Sequence, residues 1–117
     1  MSFDEAIIKV TNALKDEGFG ILTEIDIKET LKKKLDKDFR PYLILGACNP
    51  PFAYKALLAE DKIGAMLPCN VIVQQSEDGV EVAAVDPVAS MVAVENKALE
   101  VIASEIRDKL RSVIDSL

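Results

Sequence analysis

The chain carries two cysteines, and each is followed by asparagine: Gly46-Ala47-Cys48-Asn49-Pro50-Pro51 and Leu67-Pro68-Cys69-Asn70-Val71. An ionised thiol is a nucleophile and a sulfur carrier. An asparagine amide beside it can orient a ligand or hold an oxyanion. If the fold brings the two phrases together, Cys48, Asn49, Cys69 and Asn70 form one compact ligand-binding site. Thr23-Glu24-Ile25-Asp26 adds two carboxylates, Glu24 and Asp26, on the same face of a strand. Paired acids transfer protons when their surroundings separate their pKa values. They join the candidate site if that strand borders the cysteines.

Each of these residues also has a plain structural use. Free cysteine is among the most buried residue types and packs as a small hydrophobe. Asn49 stands where it can cap a helix, and Asn70 where it can satisfy loop backbone. Glu24 and Asp26 read equally well as a solvated strand face. Lys28, Lys32, Lys33, Lys34 and Lys37 read as a solvated helix face, and Tyr42, Tyr54, Met66 and Met91 as packing.

Composition narrows the chemistry. There is no histidine, which removes the usual proton carrier near neutral pH and every Ser-His or Cys-His scheme. Two thiolates are too few for a structural zinc site and no C-x-x-C pair is present, so neither metal nor cofactor is expected. Only two protomers pooling four cysteines would change that. No nucleophile motif singles out a reaction. The net charge of -6 and pI near 4.6 disfavour binding to a phosphate backbone, so no nucleic-acid partner is expected. No apolar stretch approaches the roughly 20 residues of a membrane helix. No signal-peptide pattern is evident, and the cysteines are expected to be reduced thiols in a cytoplasmic protein.

The elements that would position the site follow from spacing. The 117 residues suit one domain, 1–117. Ser2 and Glu5 form a capping box, and Phe3, Ala6, Ile7, Val10, Ala13 and Leu14 make the stripe of a first helix ended at Gly18. Gly20–Asp26 alternates as a strand with one wet face. Asp26 and Glu29 cap a short helix whose apolar side is Ile27, Leu31 and Leu35. Tyr42–Cys48 reads as a buried central strand, and Pro50 opens a helix after Asn49. Cys69–Gln75 and Val80–Val85 pair through a turn at Ser76-Glu77-Asp78-Gly79. Asp86-Pro87 starts a short helical turn through Met91. A long helix runs from about Glu95 to Leu117.

The expected architecture is therefore two-layer α+β: an antiparallel sheet of about four strands with helices on one face. Cys48 ends one strand and Cys69 starts another. They meet only if those strands are adjacent and antiparallel. Cys48 also precedes a helix N-terminus, which favours a lowered thiol pKa and makes it the better nucleophile.

Gly18-Phe19-Gly20-Ile21-Leu22-Thr23-Glu24-Ile25-Asp26 resembles the opening signature of the bacterial and archaeal domain-of-unknown-function family numbered 302. Leu45-Gly46-Ala47-Cys48-Asn49-Pro50, Leu67-Pro68-Cys69-Asn70-Val71 and Val85-Asp86-Pro87 resemble its later signatures, in the same order. The resemblance implies a β-α-β4-α fold of TBP-like topology and a homodimer. It implies no activity. Such domains begin with a strand ahead of the first helix. Here that first family strand is missing from the pattern, which leaves a sheet edge open or filled by another segment. Two functional readings stand: a small-ligand-binding or thiol-handling module, and a structural or regulatory homodimer without chemistry.

Overall fold

The computed structural model describes residues 1–117. Helix α1 spans Phe3–Asp16, and Ser2 Oγ accepts from Glu5 N at 3.1 Å. Ala6, Val10 and Leu14 are its buried stripe. Gly18, at φ +86°, turns the chain out of the helix: its N–H reaches Lys15 O, and Phe19 N–H reaches Leu14 O. That doubled return satisfies the last carbonyls and sets Phe19 against the core.

Strand β1 (Gly20–Asp26) runs into α2 (Ile27–Leu35), where Asp26 Oδ1 accepts from Glu29 N at 2.9 Å. Strand β2 (Tyr42–Cys48) leads to α3 (Pro50–Ala59) and a short 3-10 turn, Ile63–Met66. After a cis Leu67–Pro68 peptide, β3 (Cys69–Ser76) and β4 (Gly79–Ala84) form a hairpin. Helix α4 (Pro87–Ser90), capped by Asp86, precedes α5 (Lys97–Asp115).

The four strands lie in the order β1-β2-β3-β4, every pair antiparallel. The register puts Leu43, Leu45 and Ala47 in line with Val73, Val71 and Cys69. Alternation sends these side chains to one face, where α1 and α5 cover them. Helices on one face of a four-stranded antiparallel sheet make this a two-layer α+β fold.

Burial divides into two clusters. The larger lies between the sheet, α1 and the C-terminal half of α5, with Val10, Leu14, Leu45, Val71, Leu110 and Val113 among its members. The smaller lies beyond the sheet end and joins Ala56, Ile63, Met91, Leu99 and Ala103. Helix α5 serves both.

Two sequence expectations are corrected. Strand β1 is exposed from Leu22 to Asp26, so past Ile21 it has two wet faces; it is an edge strand, and only its start packs against the core. Helix α2 buries nothing, and Leu35 is exposed. Its apolar side is not a core stripe. The hairpin turn falls at Ser76-Glu77-Asp78-Gly79 as the sequence indicates, with Ser76 paired to Gly79.

Gly46 is fixed by its neighbours. A Cβ there would lie 2.1 Å from Thr23 Oγ1 and 2.7 Å from Pro68 Cγ. The proline ring cannot swing aside as a threonine hydroxyl can. Gly46→Ala should therefore destabilise the fold by about 1–3 kcal/mol in urea denaturation. Adding Thr23→Ala should restore only part of that loss, and full restoration would show that Pro68 does not hold the strands at this approach.

Candidate functional site

Antiparallel pairing of β2 with β3 sets Ala47 opposite Cys69, so Cys48 stands one residue past that pair. The end of one strand meets the start of the other, as a thiol site requires. Between this sheet end and the second cluster lies a cavity of about 290 Å³, partly open to solvent, and both cysteines line it. Its sheet-side wall includes Phe19, Ala47, Cys69 and Ile106 from the larger cluster. The opposite wall includes Ala56, Met91, Leu99 and Ala103 from the smaller one. The cavity is thus the seam between two cores.

Of its 18 lining residues 15 are hydrophobic, and none is charged. The exceptions to carbon chemistry are Asn49 and the sulfurs of Cys48, Cys69 and Met91. A lining of this kind favours apolar surface and penalises any ion that must leave water without a partner.

Asn49 is 7% exposed and begins α3. Its side chain does not cap that helix, contrary to the sequence expectation. Pro50 and Pro51 supply no N–H, so Phe52 carries the one first-turn donor a cap could reach, and Asn49 does not take it. Asn49 Nδ2 turns back instead and donates to Glu17 O at 3.2 Å, tying the start of α3 to the end of α1. Gly18 leaves room for this, since a Cβ there would sit 3.1 Å from Asn49 Nδ2. The far end of α3 is held the same way: Asn96 Nδ2 donates to Ala59 O at 2.8 Å while its Oδ1 caps α5. Helix α3, which buries only Ala56, is thereby pinned at both ends over the cavity.

Burial pushes the Cys48 thiol above its ordinary value. Cys69 is pushed up by burial first and then by the nearby Cys48. Desolvation favours the neutral thiol and runs against the lowering expected from the start of α3. At neutral pH both sulfurs are S–H groups in an apolar wall.

The remaining candidates lie elsewhere. Asn70 pairs with Gly46 on the face opposite Cys69, is exposed and does not line the cavity. Strand alternation separates it from its neighbour. Glu24 and Asp26 are exposed on β1 and also lie outside the lining, and Asp26 is engaged as the α2 cap. Among the residues that sequence reading passed over is Leu22. The register slips between Ile21 and Thr23, and the extra residue, Leu22, stands at the cavity rim. Its only sequence signal is the Ile21-Leu22 pair, which interrupts apolar–polar alternation. Phe52 and Ala53 on α3 and Ala103 on α5 join the lining too, visible in sequence only as helix positions.

No curated protein matches the chain. A solved structure described as an uncharacterized conserved protein DUF302 from Bacillus stearothermophilus is similar to it, at 31% sequence identity and a TM-score of 0.91. The match covers 98% of this chain and 90% of that one. The likeness extends the signature phrases to the whole fold, cavity-forming elements included. The sequence pattern of Domain of unknown function DUF302 matches residues 1–117, so the chain belongs to that family.

Proposed function

We propose that the protein is a small-ligand-binding module whose site is the cavity between the two cores. The observation that supports this is an uncharged, mostly hydrocarbon lining that includes both cysteines and Asn49. An apolar cavity near 150 Å³ accepts benzene, so 290 Å³ suits a ligand of about a dozen non-hydrogen atoms. The thiols act here as soft, polarisable wall, because both are held in the neutral form. A thiol-exchange role is the weaker branch, since the nucleophile is the thiolate.

A second observation favours the homodimer reading. Ile25, Ile44, Ile72 and Ala83 align across all four strands on the face away from α1 and α5, and none of them is buried. A row of apolar side chains on an uncovered sheet face is a surface that a second copy would bury.

Ala103 tests the cavity. It is 3% exposed and sits on the seam. Ala103→Leu should fill the space, leave the thermal midpoint unchanged or higher, and abolish binding of small neutral aromatics in ligand-observed NMR. Binding that survives this substitution would place the ligand elsewhere. For the sheet face, sedimentation velocity should show a dimer that Ile72→Lys converts to monomer; a monomeric wild type rejects that reading.

The thiols predict a pH dependence. In the unfolded chain they ionise near 9.0, and in the fold only above it. The unfolded state therefore releases its protons first. Stability from the neutral thiols is present below pH 9.0 and declines as pH rises through the folded values. Iodoacetamide should alkylate the native protein slowly at neutral pH, with a rate that climbs to a midpoint above 9.0. A midpoint below the ordinary value would restore the nucleophile reading.

A further inference from the structure

The polar equipment of the cavity specifies more than its size. Asn49 is more than nine-tenths buried and lines the cavity. Its amide cannot be turned around: Glu17 O only accepts, so the Nδ2 end must face it and Oδ1 must face the other way. No hydrogen bond within the chain reaches Oδ1. The usual partner of such an oxygen is an N–H in the first turn of the helix it starts; Pro50 and Pro51 have none to give, and the one on Phe52 is not taken. The cavity therefore holds an acceptor fixed in orientation and left without a donor. Against it stand two neutral thiols, weak donors at best, and hydrocarbon. No lysine or arginine lines the space, and the proline-started helix offers few N–H groups, so an anion would find no counter-charge there.

From this geometry we infer that the ligand is a neutral, mainly hydrocarbon molecule carrying one hydrogen-bond donor, a hydroxyl or an N–H, which it gives to Asn49 Oδ1. The inference rests on the ligand-binding reading above and narrows it. The hydrocarbon body fills the seam between Phe19 and Ile106 on one side and Met91 and Leu99 on the other. The donor end lies at the start of α3. A ligand without a donor displaces water from the Asn49 oxygen and leaves it unpaired. A carboxylate sets its charge beside that oxygen with nothing to balance it.

Four probes of one shape separate these outcomes: naphthalene, 2-naphthol, 2-methoxynaphthalene and 2-naphthoate. Each is titrated into the full chain and followed by backbone amide shifts of Phe52 and Ala103, which line opposite sides. The expected order has 2-naphthol about 3- to 10-fold tighter than naphthalene. 2-Methoxynaphthalene, which accepts but cannot donate, should gain nothing over naphthalene, and 2-naphthoate should bind weakest. Equal affinity of naphthalene and 2-naphthol overturns the donor inference while leaving the cavity a ligand site. Tight binding of 2-naphthoate overturns the requirement for neutrality. Failure of all four to shift either amide overturns the ligand-binding reading itself. As a check on position, Ala103→Leu should remove the response to every probe that binds; a response that persists overturns the assignment to this cavity.

Discussion

Helix α5 belongs to two cores at once, and the rest of the molecule depends on that. At about 1.5 Å per residue its 19 residues outrun the sheet beneath it. Ile106, Leu110 and Val113 pack on the strands, whereas Leu99 and Ala103 extend past the sheet end. Those residues still need apolar cover, and α3, the 3-10 turn and α4 supply it. Two clusters built on one rigid rod from different layers do not close perfectly against each other. The cavity is the space left at their joint. Its position is thus a consequence of packing geometry, and the phrases at the ends of β2 and β3 line it because the sheet stops there.

Packing alone does not explain how α3 stays in place. It is apolar almost all round, exposing Tyr54, Leu57 and Leu58, and buries Ala56 alone. A helix with so little buried surface gains little from the hydrophobic effect. Two directed bonds do what packing does not, from Asn49 to the end of α1 and from Asn96 to the end of α3 itself. Each amide satisfies a carbonyl that a helix terminus leaves free. Each bond is worth about 1 kcal/mol net, and their fixed directions matter more than the energy. They hold both ends of α3, and Gly18 permits the close approach of the Asn49 amide to the end of α1.

Much of this was legible from residue order. The Ser2 and Asp26 caps, the Gly18 exit, the β3–β4 hairpin and the stripe of α5 all obey local rules that need no tertiary knowledge. The meeting of Cys48 and Cys69 followed once antiparallel pairing of their strands was granted. What local rules could not show was which face each residue takes relative to a distant element. Asn70 follows Cys69, yet alternation sends it to the other side of the sheet. Asn49 looked like a cap, but two prolines leave Phe52 as the lone first-turn donor, and the amide turns instead to a carbonyl 32 residues away. Leu22 entered the rim through a register slip that no propensity encodes. Glu24 looked suited to chemistry because of its type, while its place on an edge strand leaves it in water.

The site's restraint is itself informative. A reaction centre ordinarily concentrates charge, perturbed acids and bases, or a metal. This cavity contains no charged side chain, and the two groups in it that titrate are pushed toward neutrality. Such a space selects by dehydration: it admits what water holds weakly and turns away what water holds well. Because Cys69 belongs to the sheet core as well as to the cavity wall, an occupant touches both clusters together. Occupancy then adds contacts across the joint where the two cores fit least well. By mass action, anything that binds only the folded chain stabilises it further as its concentration passes the dissociation constant. An occupant of the cavity would touch both clusters that α5 joins, and so would steady that helix.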